Sequence, residues 1–367
     1  MTTRYFTPLA VGIGLLLCSS HLHASSFSDT YKDYQLAIEQ NDLSQARIFA
    51  EQAYELGLAE FDENDLSVAN LAINYASLLV EHKDEVSKDH RKQSIETATQ
   101  LYQQALAIYR VNFDDNAVEL IELLIELAKV ETDARIAKNL VEEAVDIANE
   151  SGKSLLIAET NIAAFNRIAS TEYYTKSKQK WAFEALEIYE TQYPENALDR
   201  IEAERIVAAI RYNRKDYKLA TQHYTNIIEQ MQALEFTHPF ELQAHAVLVN
   251  IFEKTDKSDL ATQHCLAIGQ MKPWDADQEQ QPLYRVHPEY PLAYAKRGKQ
   301  GWVKMRFTVD EFGFVKDATI VGSEGGSKFE KASLKALKQW RYAPKFKNGK
   351  AISAESTVQL DFHLDRG

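Results

Sequence analysis

The chain of 367 residues contains two cysteines, eight prolines, 13 glycines and no apolar run approaching the roughly 20 residues that span a bilayer. Each scarcity removes a class of explanation. Cys18 lies in the amino-terminal leader, so Cys265 has no intramolecular partner and is expected to pack as a small apolar residue. The ten histidines show neither an HExxH motif nor paired Cys/His spacing, so no metal site and no cofactor are expected. The densest glycine cluster, Gly322 to Ser327, lacks the Lys-Ser/Thr that a phosphate-cradling loop requires and reads as a strand-to-helix turn. No nucleophile and base stand out, and the many acidic pairs read as solvated helix faces, so the expected role is not enzymatic.

What is present is ordinary globular composition, 45% hydrophobic and 26% charged, with a lopsided charge distribution. Residues 284–367 carry 16 Lys and Arg against 9 Asp and Glu, a net of +7, whereas residues 1–283 carry 25 against 45, a net of −20. Two differently charged units are joined. The basic excess is small and is not interleaved with stacking aromatics, which argues against a nucleic-acid partner and for a solvated basic helix face. At the amino terminus, Arg4, the apolar stretch Leu9–Leu17 and the small residues up to Ala24-Ser25-Ser26 form the pattern of a secretory signal peptide, with cleavage expected after Ala24. An uncleaved leader acting as an inner-membrane anchor is the alternative.

Six similar heptapeptides recur: EQAYELG at Glu51, QQALAIY at Gln103, EEAVDIA at Glu142, FEALEIY at Phe183, TNIIEQM at Thr225 and QHCLAIG at Gln263. Their third residues, Ala53, Ala105, Ala144, Ala185, Ile227 and Cys265, are spaced 52, 39, 41, 42 and 38 apart, the first interval being lengthened by the charged segment Glu81–Glu96. A period near 40 with a polar turn and a second apolar run in each unit predicts stacked helical pairs. The pattern resembles the tetratricopeptide repeat (TPR) family in its longer variant, as in kinesin light chains. That resemblance implies a concave surface that binds an as yet unnamed peptide or protein. Asn70 and Asn74, four apart on one helix, can present amides to such a peptide, but ordinary solvent-facing asparagines are the favoured reading in a helix-rich array.

Four of the eight prolines fall between Lys272 and Pro291, where a helix cannot continue. From Gly301 the apolar period changes from 3.6 to 2. Val303, Met305, Phe307 and Val309 share one face of a strand, and Phe314–Val321 returns with a hinted bulge. Ser327 and Glu330 predict a capping box for an amphipathic helix whose apolar face runs from Phe329 to Trp340. Pro344 stops it, Asn348-Gly349 turns the chain, and Val358, Leu360, Phe362 and Leu364 alternate along a last strand.

Tyr290-Pro291, Gly298, Gly301-Trp302-Val303, Phe307-Thr308-Val309-Asp310 with Gly313 and Val315, Trp340-Arg341-Tyr342-Ala343-Pro344 and Asn348-Gly349-Lys350 together resemble the carboxy-terminal domain of the TonB family, with Tyr294 where that family usually has alanine. The expected organisation is multidomain, α followed by α+β. It comprises a signal peptide at 1–24, a TPR-like α-solenoid of about six helix pairs at 25–271, a proline-containing linker at 272–289 and a small ββαβ domain at 290–367. The resemblance implies a periplasmic protein in energy-dependent uptake of siderophores or similar nutrients. It implies that Thr357, Val358, Gln359, Leu360, Asp361 and Phe362 form an edge to which an amino-terminal box segment of an outer-membrane transporter adds as a strand. Tyr290 and Pro291 would contact the transporter plug. Inner-membrane proton-driven motor proteins are implied as further partners, reached only through the solenoid because no long spacer is visible. The alternative is a periplasmic TPR scaffold whose small domain binds another cell-envelope protein. An open edge also permits a dimer that exchanges terminal strands.

Overall fold

The computed structural model describes residues 23–81, 88–232, 239–271, 282–347 and 349–363. The predicted leader, Asn348 and Leu364 lie outside these residues, apart from the start of the first helix. The chain divides into two compact units, Met1–Gln192 and Tyr193–Gly367.

The first unit holds four antiparallel pairs: α1 (His23–Glu39) with α2 (Leu43–Glu60), α3 (Leu66–Glu81) with α4 (Lys88–Asn112), α5 (Glu119–Val130) with α6 (Ala134–Ser151), and α7 (Ser154–Ile168) with α8 (Gln179–Gln192). Their ends follow local chemistry. Asp42 accepts from the Gln45 amide at 3.0 Å, and Asp133 accepts from the Arg135 and Ile136 amides, which lowers the Asp133 carboxyl below its ordinary range. Gly152 closes α6 at φ 65°, a left-handed conformation that suits glycine. The second unit begins with two more pairs, α9 (Leu198–Asn213) with α10 (Tyr217–Gln232) and α11 (Pro239–Lys254) with α12 (Ser258–Met271). All six heptapeptides fall on the second helix of a pair. Ala53, Ala105, Ala144, Ala185, Ile227 and Cys265 are all at 0% exposure; the small side chains of the four alanines and the cysteine let neighbouring helices close together. Tyr189 and Tyr224 are buried in the wider gaps, while Tyr109 is only half-buried. Among the described residues no helix is long and apolar enough to cross a membrane.

The rest of the second unit contains β1 (Pro282–Tyr284), α13 (Leu292–Ala295), β2 (Gly301–Val309), β3 (Val315–Glu324), α14 (Ser327–Leu337), β4 (Arg341–Tyr342), β5 (Lys345–Lys347), β6 (Lys350–Ile352) and β7 (Ala354–Phe362). The principal sheet is antiparallel in the order β3-β2-β7. The inward side of β2 carries the predicted Val303, Met305, Phe307 and Val309, all buried together with Phe329, Leu337, Trp340, Tyr342 and Phe362. The ββαβ order is therefore present, with a β5-β6 hairpin and a β1-β4 pair added to it.

Several expectations are corrected. No capping box forms: Gly326 at φ 107° is the N-cap, Ser327 is already inside the helix, and Glu330 instead accepts from the Ser323 hydroxyl at 2.6 Å. The helix ends at Leu337, so Trp340 follows it and plugs the core from the next turn. Gly322 to Glu324 belong to β3, which leaves only Gly325 and Gly326 as the turn. Within the expected linker, Pro282–Tyr284 is a strand paired with β4; proline is tolerated there because the first residue of a short strand can go without its N–H bond. The boundary between the two compact units falls between α8 and α9.

Candidate functional site

Strand β7 is built for one-sided pairing. Its nine residues run against β2 in unbroken register from Gly301↔Phe362 to Val309↔Ala354, and among the described residues no strand lies on its other side. An edge of this kind presents backbone N–H and C=O groups on alternate residues. Side chains alternate as well. Val358 and Leu360 are half-buried and Phe362 is buried against the core, whereas Glu355, Thr357, Gln359 and Asp361 are exposed. On that exposed face Gln359 donates to the Asp361 carboxylate at 2.9 Å, and Trp302, Lys304 and Arg306 of β2 lie opposite Asp361, Gln359 and Thr357.

The opposite edge, β3, differs in character. Its register to β2 shifts twice, between Lys304 and Met305 and between Arg306 and Thr308, and Asp317 sits at φ 50°. Bulges twist an edge away from new partners, so the β3 edge is irregular where the β7 edge is regular.

Tyr290 lies beside the end of this edge. Its ring meets Phe362 edge-on at 5.7 Å and Phe329 at 5.3 Å, Phe329 stacks on Phe362 at 4.2 Å, and the Tyr290 hydroxyl donates to the Lys299 carbonyl. Pro291 is the N-cap of the short α13, and Leu292 after it is 79% exposed. Two parts of the predicted site, Tyr290 and Phe362, are thus in direct contact. Tyr294, where the family usually has alanine, fills the same cluster at 4.9 Å from Phe329.

In the helical pairs, the Asn70 amide oxygen accepts from the Tyr109 hydroxyl at 3.1 Å, which ties α3 to α4, and Asn74 is half-buried. Asn161 on α7 is fully buried and donates to Glu184 at 3.2 Å. Among the described residues no group of three or more His, Cys, Asp or Glu side chains is arranged to hold a metal ion. Cys265 is a free, buried thiol, its pKa pushed up to about 12 by burial.

Residues 286–364 match the family model for the Gram-negative bacterial TonB protein C-terminal region. Protein TonB of Pseudomonas aeruginosa is 28% identical over 90 residues, 24% of this chain and 26% of that protein, so the chain spans about a quarter of the length of this relative. The solution structure of the Pseudomonas aeruginosa TonB carboxy-terminal domain is 27% identical, covering 25% of this chain and 93% of that one, with a TM-score of 0.23. The crystal structure of BtubC from P. vanneervenii is 12% identical and covers 74% of this chain and all of that one, with a TM-score of 0.48. Residues 286–364 are thus similar to the TonB carboxy-terminal domain, and in this chain they follow six helical pairs.

Proposed function

We propose that this chain is a periplasmic TonB-family protein that binds outer-membrane TonB-dependent transporters by strand addition to β7. In this reading it takes part in energy-dependent transport of siderophores or similar nutrients, and its helical pairs bind a partner protein. The observation that carries the reading is the open, unbulged edge of β7 within a domain of the TonB carboxy-terminal family. An incoming extended segment gains main-chain hydrogen bonds along that edge, and its alternate side chains meet either the apolar row of Val358 and Leu360 or the polar row of Thr357, Gln359 and Asp361. Tyr290 and Pro291 stand at the Phe362 end, where a transporter plug would make contact. The role is mechanical or regulatory. Export through the leader and location in the periplasm belong to the same proposal.

The test is titration of the purified chain with synthetic amino-terminal box peptides from transporters of the same organism. Prolines placed singly at Val358 and Gln359 serve as controls. In an antiparallel ladder one of these two N–H groups faces β2 and the other faces outward. One peptide should bind, and one of the two proline variants should lose binding while remaining folded. If no peptide binds, the direct transporter reading falls, and the helical pairs become the place to search for the main partner.

A further inference from the structure

We propose that the last helical pair, α11–α12, is a seat for the TonB-type domain that carries load from β7 directly into the helices, with Arg341 as its positioning residue. The claim that β7 bears a load rests on the strand-addition reading; the seat itself stands on separate observations. Arg341 lies in the Trp-Arg-Tyr-Ala-Pro cluster, between two core aromatics, yet its side chain points into the helical pair and is 1% exposed. One guanidinium nitrogen donates to the Glu253 carboxylate on α11; the other donates to Thr262 on α12 and to the Phe312 carbonyl in the β2-β3 turn, both at 2.9 Å. The guanidinium also lies 3.7 Å from the centroid of the Phe314 ring. Burying a charge is costly unless it is paired, so this cluster favours one geometry and penalises separation. Glu253 and Thr262 lie outside residues 286–364, so the TonB-type segment alone has no such partners for Arg341.

Two further contacts point the same way. A Cβ at Gly269 of α12 would stand 2.7 Å from the Pro344 carbonyl and 2.6 Å from the Phe346 ring, so only glycine allows this approach. Leu283 and Tyr284 of β1 pack on the helical core while β1 pairs with β4, and the next residues bring the Val286 carbonyl to the Trp340 indole at 2.8 Å. The path from β7 therefore runs through β2 and the aromatic core to Trp340-Arg341-Tyr342 and on into α11 and α12. Load carried by the covalent chain alone would pass through the ten residues between Met271 and Pro282, which span about 35 Å at full extension.

Single-molecule pulling tests this without any transporter. The handles are cysteines introduced by Lys218→Cys on α10 and His363→Cys after β7; the native Cys265 is buried. The seated chain should show no elongation step before the domain unfolds. Glu253→Gln, a change in the helix that leaves the sheet untouched, should introduce an early step of at most about 35 Å, with seat opening about 100-fold more frequent, as expected for a broken buried ion pair. Arg341→Met should do the same. An early step in the unsubstituted chain would overturn the seat, and a Glu253→Gln trace identical to the unsubstituted one would overturn the role of Arg341. Failure of every box peptide to bind would refute the transporter reading and leave these traces unchanged.

Discussion

Trp340 is the largest side chain in the core of the terminal domain, and its replacement gives a graded prediction. It is 2% exposed, donates its indole N–H to the Val286 carbonyl at 2.8 Å, and lies under the Arg285 guanidinium at 4.9 Å. Trp340→Phe keeps an aromatic ring in the core and the cation above it but leaves the Val286 carbonyl without its donor, a loss of about 1–2 kcal/mol. Trp340→Ala also removes the ring and leaves a cavity, for a total of about 4–5 kcal/mol. At about 4–8 °C per kcal/mol for a domain of this size, the phenylalanine variant should melt roughly 10 °C lower. The alanine variant, losing much of a typical domain's 5–15 kcal/mol, should be largely unfolded at 37 °C. Thermal melts read with hydrogen exchange at β2 and β7 would check both values. An alanine variant that loses less than about 1 kcal/mol would refute the view that this small core is organised around Trp340.

Other consequences can be measured directly. The exposed row of β7 carries Glu355 and Asp361, so Asp361→Lys should weaken binding of a strand with a basic residue opposite it by about 2- to 5-fold and strengthen binding of its acidic counterpart, as competition titrations would show. Gly269→Ala should destabilise the second unit because its methyl meets the Pro344 backbone, whereas Gly57→Ala, whose methyl meets only the movable end of Leu71, should be neutral or gain up to about 1 kcal/mol of helix preference; urea midpoints compare the two. His245 and His264 face each other with Nδ1 atoms 2.7 Å apart, and burial holds both at about pKa 4, below the ordinary 6.5. Their contribution to stability is therefore complete above pH 6.5 and is lost as pH falls from 6.5 through 4, since the unfolded chain takes up the protons first. The urea midpoint of the second unit should be lower at pH 5 than at pH 7, and His264→Gln should flatten the difference.

Much of this architecture is visible in single residues. The repeated Ala, Ile or Cys of each heptapeptide marks the closest helix approach because only a side chain that fits a tight gap can recur there, and Val303-Met305-Phe307-Val309 can face one side only in a strand. The apolar row of β7 was legible for the same reason. Its edge position came from the family resemblance alone, because an open backbone edge leaves almost no side-chain trace. The capping box failed because Ser327-x-x-Glu330 fits a helix start equally well when the chain enters one residue earlier through a left-handed glycine. Arg341 was legible as a motif residue but not as an anchor: Glu253 and Thr262 lie 88 and 79 residues away, beyond any local pattern.

The most direct measurement is residue-resolved hydrogen exchange of the purified chain with and without a bound box peptide, read along Ala354–Phe362. Strand addition predicts that every second amide of β7 gains protection, while the amides already bonded to β2 change little. Protection that appears only in the helical pairs, with β7 unchanged, would contradict recognition at this edge.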